Sequence, residues 1–137
     1  MADIYQRFPA LKELADGAFS SLLGLRVDSA QEGVVRVRMP FDLRLLNYGS
    51  PSVPVHGGAI ASLVDFAACA AVWTLPTTRR SATISLTLNY TAPAIQSDLF
   101  ANATVRHSGR QIASIIVEVR DRHDTLIADA LVTYKIS

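Results

Sequence analysis

The sequence predicts an α+β fold in which one curved antiparallel sheet wraps one long central helix, with a further helix at the N-terminus. Three observations carry this. A nearly uncharged segment from Gly57 to about Thr74 has helical spacing, and the C-terminal half is a succession of alternating strand runs. No regular exchange of strands and helices points to a parallel sheet.

At the N-terminus, Leu11, Leu14, Ala15, Ala18, Phe19 and Leu22 recur at helical spacing after Pro9, and Gly24 supplies a stop, so one amphipathic helix is expected. Val35, Val37 and Met39 alternate with Val34, Arg36 and Arg38 up to Pro40, a short strand, with a partner strand near Leu25 to Val27 and a turn at Glu32-Gly33. From Phe41 to Pro54 the composition is that of a loop, with one helical turn around Asp42 to Leu46. A long irregular segment inside a compact fold is a natural place for site residues.

Within Gly57–Thr74, Ile60, Leu63, Val64, Ala67, Ala68, Ala71 and Val72 form one continuous face, and the opposite face is small and almost uncharged. A helix apolar all round belongs in a core. A membrane span is excluded by Asp65 in its middle, by the missing basic flank and by the strands that follow. Ala82, Ile84, Leu86, Leu88 and Tyr90 alternate with Thr83, Ser85, Thr87, Asn89 and Thr91, which assigns Thr83 to the polar face. Leu99 to His107 forms the next strand. Ser108-Gly109 turns the chain into Ile112–Arg120, and Asp121–Asp124 turns it into a last strand with Ala128, Ala130, Val132, Tyr134 and Ile136 on one side.

The 137 residues fit one domain, residues 1–137, and a composition that is 50% hydrophobic is enough for a core without staples. A net charge of +1 gives no global field for nucleic acid or an anionic membrane, so phosphate recognition must be local. The opening Met1-Ala2-Asp3-Ile4-Tyr5 stretch lacks a basic region followed by an apolar run, and the expected compartment is the cytoplasm. Cys69, flanked by alanines, reads as a small buried hydrophobe. With one cysteine and three histidines that lack ligand spacing, neither a metal nor another cofactor is expected.

Asp65 is the residue that asks for a function. It is the sole charge between Gly57 and Thr74, and burying a carboxylate without partners costs several kcal/mol. Upstream, His56-Gly57-Gly58 opens the helix, where two glycines let a ligand approach bare N–H groups at the positive end of the dipole, as an oxyanion site requires. Gly57 and Asp65 are eight residues apart, about 12 Å along a helix rising ~1.5 Å per residue. One reacting carbonyl cannot reach both, so if both act they come from the two subunits of a twofold dimer with two equivalent sites.

Asn47 followed by His56-Gly57-Gly58-Ala59-Ile60-Ala61-Ser62-Leu63-Val64-Asp65 resembles the signature of PaaI-like hotdog-fold acyl-CoA thioesterases. The similarity extends through Leu86-Thr87-Leu88-Asn89-Tyr90-Thr91-Ala92-Pro93-Ala94, Gly109-Arg110 and the Ile127–Tyr134 strand. The resemblance implies hydrolysis of an acyl- or aryl-acyl-coenzyme A to free acid and coenzyme A, in a homodimer or a homotetramer built as a dimer of dimers. It gives Asp65 the part of general base or nucleophile, and Gly57 the part of N–H donor to the thioester carbonyl. His56 would orient the loop, Asn47 would contact carbonyl or water, and Thr83 would bring a hydroxyl to the carboxylate. The segment from Asn47 to His56 is longer than the family's usual one, so Tyr48 or Ser50 could replace Asn47. Gly58 would join the substrate-binding backbone; Phe41, Leu45, Tyr48 and Phe66 are candidates for the acyl pocket. Arg79, Arg80, Arg106 and Arg110 are candidates for coenzyme A phosphates. Two other readings remain at this level: a hotdog hydratase or dehydratase on acyl thioesters using His56, and a module that binds acyl-coenzyme A without turnover.

Overall fold

The computed structural model describes residues 3–137; Met1 and Ala2, with which the stretch read for a leader begins, lie outside them. Three short helices, α1 (Ile4–Arg7), α2 (Pro9–Ala15) and α3 (Ala18–Leu23), lead into the hairpin β1 (Arg26–Gln31) and β2 (Val34–Met39). A 3-10 turn at Leu43–Leu45 and an irregular segment precede α4 (Gly57–Trp73), and then come β3 (Ser81–Tyr90), β4 (Leu99–Ser108), β5 (Ile112–Asp121) and β6 (Leu126–Ile136). The strands form one antiparallel sheet in the order β1-β2-β4-β5-β6-β3, and α4 packs against its inner face. This is the hotdog architecture.

The inner face explains how a sheet closes so tightly on a helix. Ala101, Ala103, Ala113 and Ala128 on the strands, and Ala67, Ala68, Ala70 and Ala71 on α4, are all fully buried. Small side chains on both partners let backbone approach backbone, while Leu63, Val64, Ile115, Val117 and Val132 fill the remaining volume. Thr74 ties the far end of α4 to the β1–β2 hairpin: its hydroxyl donates to the Ala71 carbonyl (2.6 Å) and accepts from Gly33 N–H (2.7 Å). Gly33 sits there at φ +79°, a backbone conformation that a side chain would strain. No described helix is long and apolar enough to cross a membrane.

Three expectations need correction. The N-terminal helix is broken, because Asp16 ends α2 and Gly17 takes an extended conformation (φ −56°, ψ 148°) before α3 begins. Leu11 is buried, yet Phe19 (62%) and Leu22 (64%) stay exposed, so their helical spacing did not report a core. In β3, a bulge between Thr83 and Ser85 leaves Ile84 without a partner on β6. One inserted residue inverts the alternation. Ser81 and Thr83 thereby share a face with Leu86 and Leu88, and Ile84 turns out to solvent at 54% exposure. Finally, α4 is not covered all round: Ala61, Asp65, Cys69 and Trp73, four residues apart, are only half-buried. The carboxylate lies on the one strip of α4 that this chain leaves partly open.

Candidate active site

Asp65 is satisfied from two strands. Thr83 donates its hydroxyl to Asp65 Oδ1 at 2.8 Å from β3, and Tyr134 donates to the same oxygen at 2.7 Å from β6. These two donors face each other across the β3–β6 ladder, in the register Thr83↔Tyr134. The Tyr134 hydroxyl also lies 3.0 Å from the Asp65 carbonyl oxygen. Oδ2 receives no hydrogen bond from any described residue. Burial above all, then the neighbouring Cys69 and Asp65, raise the Tyr134 phenol above the ordinary tyrosine range, so it stays a donor. Burial likewise pushes the Cys69 thiol up, only partly offset by hydrogen bonds from Ser81 and Tyr134, which keeps it a thiol rather than a nucleophilic thiolate.

Beside Asp65 lies a cavity of about 320 Å³. Phe19, Leu23, Leu25 and Phe66 give it an apolar wall, and Ser62, Ser81, Thr83 and Tyr134 a polar one. Helix α3 thus supplies one wall of this cavity, and the exposed Phe19 is part of it.

A second polar station lies at the start of α4. His56 caps the helix, its Nδ1 accepting from Gly58 N–H at 2.8 Å. If the ring is neutral, its proton therefore sits on Nε2. Tyr90, at the end of β3, donates its hydroxyl to the Gly57 carbonyl at 2.6 Å. A Cβ on Gly57 would stand 3.1 Å from that hydroxyl oxygen, tight enough that Tyr90 would have to move. The Gly57 N–H has no partner among the described residues. Gly57 and Tyr90 border a separate cavity of about 440 Å³ with Pro54, Val55, Ile60 and Pro93.

Of the residues singled out from the sequence, Asp65, Thr83 and Phe66 line one cavity and Gly57 the other. His56 and Gly58 hold the helix start. Asn47 and Tyr48 lie on the exposed loop closed by the Leu46↔Val55 bridge; Asn47 N–H bonds the Pro54 carbonyl, and neither side chain borders these cavities. Arg79 and Arg80 donate main-chain N–H groups to the Ser137 carbonyl, and Ser137 shares a surface depression of about 550 Å³ with Thr77, Thr78 and Arg110. The main chain of Arg79 and Arg80 therefore meets the last residue of the chain, next to the depression that Arg110 lines, whereas Arg106 sits on the outer sheet face beside Glu118 and Asp129. Among the described residues, no three His, Cys, Asp or Glu side chains converge as a metal site would require. Tyr134 and Tyr90 were not anticipated. The available signal was that a tyrosine on a core-facing strand position must find a partner for its hydroxyl, and Asp65 was a carboxylate in want of one.

A carboxylate held by hydroxyls beside a cavity with an apolar wall, on a helix whose first residue keeps its amide without a partner among the described residues, is compatible with hydrolysis of an acyl group. The chain belongs to the thioesterase superfamily, whose family model matches residues 55–128. It is 35% identical over 117 residues to a candidate esterase of Halobacterium salinarum, covering 83% of this chain and 77% of that one. The Escherichia coli PaaI protein of the phenylacetic acid degradation operon superposes with a TM-score of 0.82 at 27% identity, over 97% of this chain and 92% of the other. A hypothetical thioesterase of Streptococcus pneumoniae, solved with coenzyme A, shares the fold: TM-score 0.81, 20% identity, 93% and 96% coverage.

Proposed function

We propose that the chain hydrolyses acyl- or aryl-acyl-coenzyme A thioesters as a homodimer, with Asp65 as the catalytic carboxylate and the partner's Gly57 as the carbonyl donor. The observation that carries this is Asp65 itself: a carboxylate with one oxygen accepting from two hydroxyls and the other without a partner among the described residues, beside a cavity with an apolar wall.

The dimer follows from β3. It is an edge strand of ten residues without a charge or a proline, and beyond the bulge at Ile84 it runs regularly from Ser85 to Tyr90, an edge open to pairing. Antiparallel pairing of two β3 strands about a twofold axis lays the Thr83 end of one against the Tyr90 end of the other. Thr83 is bonded to Asp65 and Tyr90 to Gly57, so this pairing joins Asp65 with the partner's Gly57. It also covers the open strip of α4. Apolar Ile112, Ile116 and Leu131 exposed on the outer sheet face support a further pairing into a dimer of dimers.

In the reaction, the thioester oxygen accepts from the partner's Gly57 N–H. Asp65 Oδ2 takes a proton from water as the water oxygen bonds to the carbonyl carbon; the tetrahedral adduct then breaks its C–S bond, and the leaving thiolate takes the proton from Oδ2, which restores the carboxylate. In the alternative route Oδ2 itself attacks, the thiolate leaves, and water cleaves the resulting anhydride. The acyl group fits the Phe19, Leu23, Leu25 and Phe66 wall. Arg79, Arg80 and Arg110, none engaged in a salt bridge among the described residues, suit the phosphates. His56 is occupied by Gly58 N–H, which weakens the hydratase reading.

The test is thiol release from aliphatic and aromatic acyl-coenzyme A by the wild type and by Asp65→Asn. We expect turnover by the wild type and a loss of about 10²- to 10⁴-fold in the variant, the range of general-base catalysis, with binding and folding retained. A wild type that binds these compounds without releasing thiol would make the chain a binding module instead.

A further inference from the structure

We infer that Tyr134 is a positioning residue for catalysis, locking the Asp65 carboxylate so that Oδ2 alone is presented to the reacting water or thioester. The inference rests on the thioesterase reading of Asp65.

A buried tyrosine needs one partner for its hydroxyl, and at 3% exposure Tyr134 would be satisfied by the Asp65 carbonyl oxygen at 3.0 Å. Its shorter contact, 2.7 Å, goes instead to Oδ1 of the side chain. The phenol proton thus goes to the carboxylate and anchors the Asp65 side chain to β6, which restricts its side-chain torsions. Thr83 holds Oδ1 from the neighbouring strand. Rotation of the carboxylate would break both bonds, so the two donors act as one clamp. Because both sit on Oδ1, the protein itself distinguishes two oxygens that are chemically alike. Oδ2 is left with its lone pairs free. The β3 bulge is part of this device, since only the shift at Ile84 turns Thr83 to the side where Tyr134 stands. Raised by burial, the phenol keeps its proton and so keeps the clamp closed.

The experiment is steady-state thiol release by Tyr134→Phe, Thr83→Val and the double variant, beside the wild type. Loss of a hydrogen bond to a charged group corresponds to about 10- to 100-fold, and we expect that loss in kcat for Tyr134→Phe, with KM within about twofold and the thermal transition retained. The double variant should be little worse than either single one, because releasing one donor already frees the carboxylate. Unchanged kcat in Tyr134→Phe, a rise in KM instead, or losses that multiply in the double variant would overturn the clamp. Should Tyr134→Phe fail to fold, fluorotyrosine installed at position 134 keeps the shape and changes only donor strength; a kcat indifferent to ring fluorination would overturn the proposal equally. Wild-type protein without thiol release would defeat the thioesterase reading itself, an outcome distinct from all of these.

Discussion

The two polar stations of α4 are built on the same plan with opposite results. At the helix start, Tyr90 takes the Gly57 carbonyl and His56 takes the Gly58 N–H, which leaves the Gly57 N–H as the one free group: a donor. Two turns on, Thr83 and Tyr134 both take Asp65 Oδ1 and leave Oδ2: an acceptor. In each case neighbouring side chains occupy all but one of the atoms that the proposed reaction would use, and the remaining atom is the one assigned to it. The difference shows why the proposed reaction calls on two chains. Donor and acceptor are complementary, yet they border separate cavities, about 12 Å apart along a helix rising ~1.5 Å per residue.

The strongest way to break this comparison is to separate the stations onto different chains. Asp65→Asn and Gly57→Val should each be nearly silent alone. Mixed by unfolding and refolding together, they should recover about a quarter of wild-type thiol release, since half of the dimers are mixed and each mixed dimer has one intact site of two. No recovery in verified heterodimers would place Asp65 and Gly57 in independent roles.

A smaller effect should come from Gly57→Ala. The added Cβ would stand 3.1 Å from the Tyr90 hydroxyl oxygen, so the tyrosine must yield and the 2.6 Å bond is disturbed while the N–H survives. We expect kcat to fall about tenfold, the upper end for one lost hydrogen bond because the methyl also crowds the station, with Asp65 unaffected. Smaller still should be Tyr90→Phe, which removes the bond and leaves the space: a fall of about two- to fivefold in kcat, near the lower end for a neutral, exposed hydrogen bond. A Tyr90→Phe variant as impaired as Gly57→Ala would show that the hydroxyl, rather than room at Gly57, sets the station.

Much of this could be read along the chain. The central helix, the β1–β2 turn at Gly33, the inward faces of β5 and β6 and the Gly24 stop all follow from spacing within a few residues. Asp65 stood out for a chemical reason, as a charge in an apolar helix. Thr83 was assigned to the polar face by strict alternation, and the structure shows it bonded to Asp65 because a bulge inserts one residue. The N-terminal segment kept its helical spacing but was cut at Gly17, and Phe19 went to the cavity wall instead of the core. Periodicity reports which residues are apolar; it does not report what covers them.

By itself the sequence determined that a small-residue helix carrying one carboxylate would be wrapped by antiparallel strands, since helix and strand periods and the cost of an unpaired charge are local properties. Only the tertiary structure decided which groups answer that charge. Thr83 and Tyr134 are 18 and 69 residues from Asp65, and they meet it through the register of β3 on β6. It also decided that β3 lies at the sheet edge. An edge strand and an interior strand share one alternation, and only the hydrogen-bonded neighbours, present on one side and absent on the other, tell them apart.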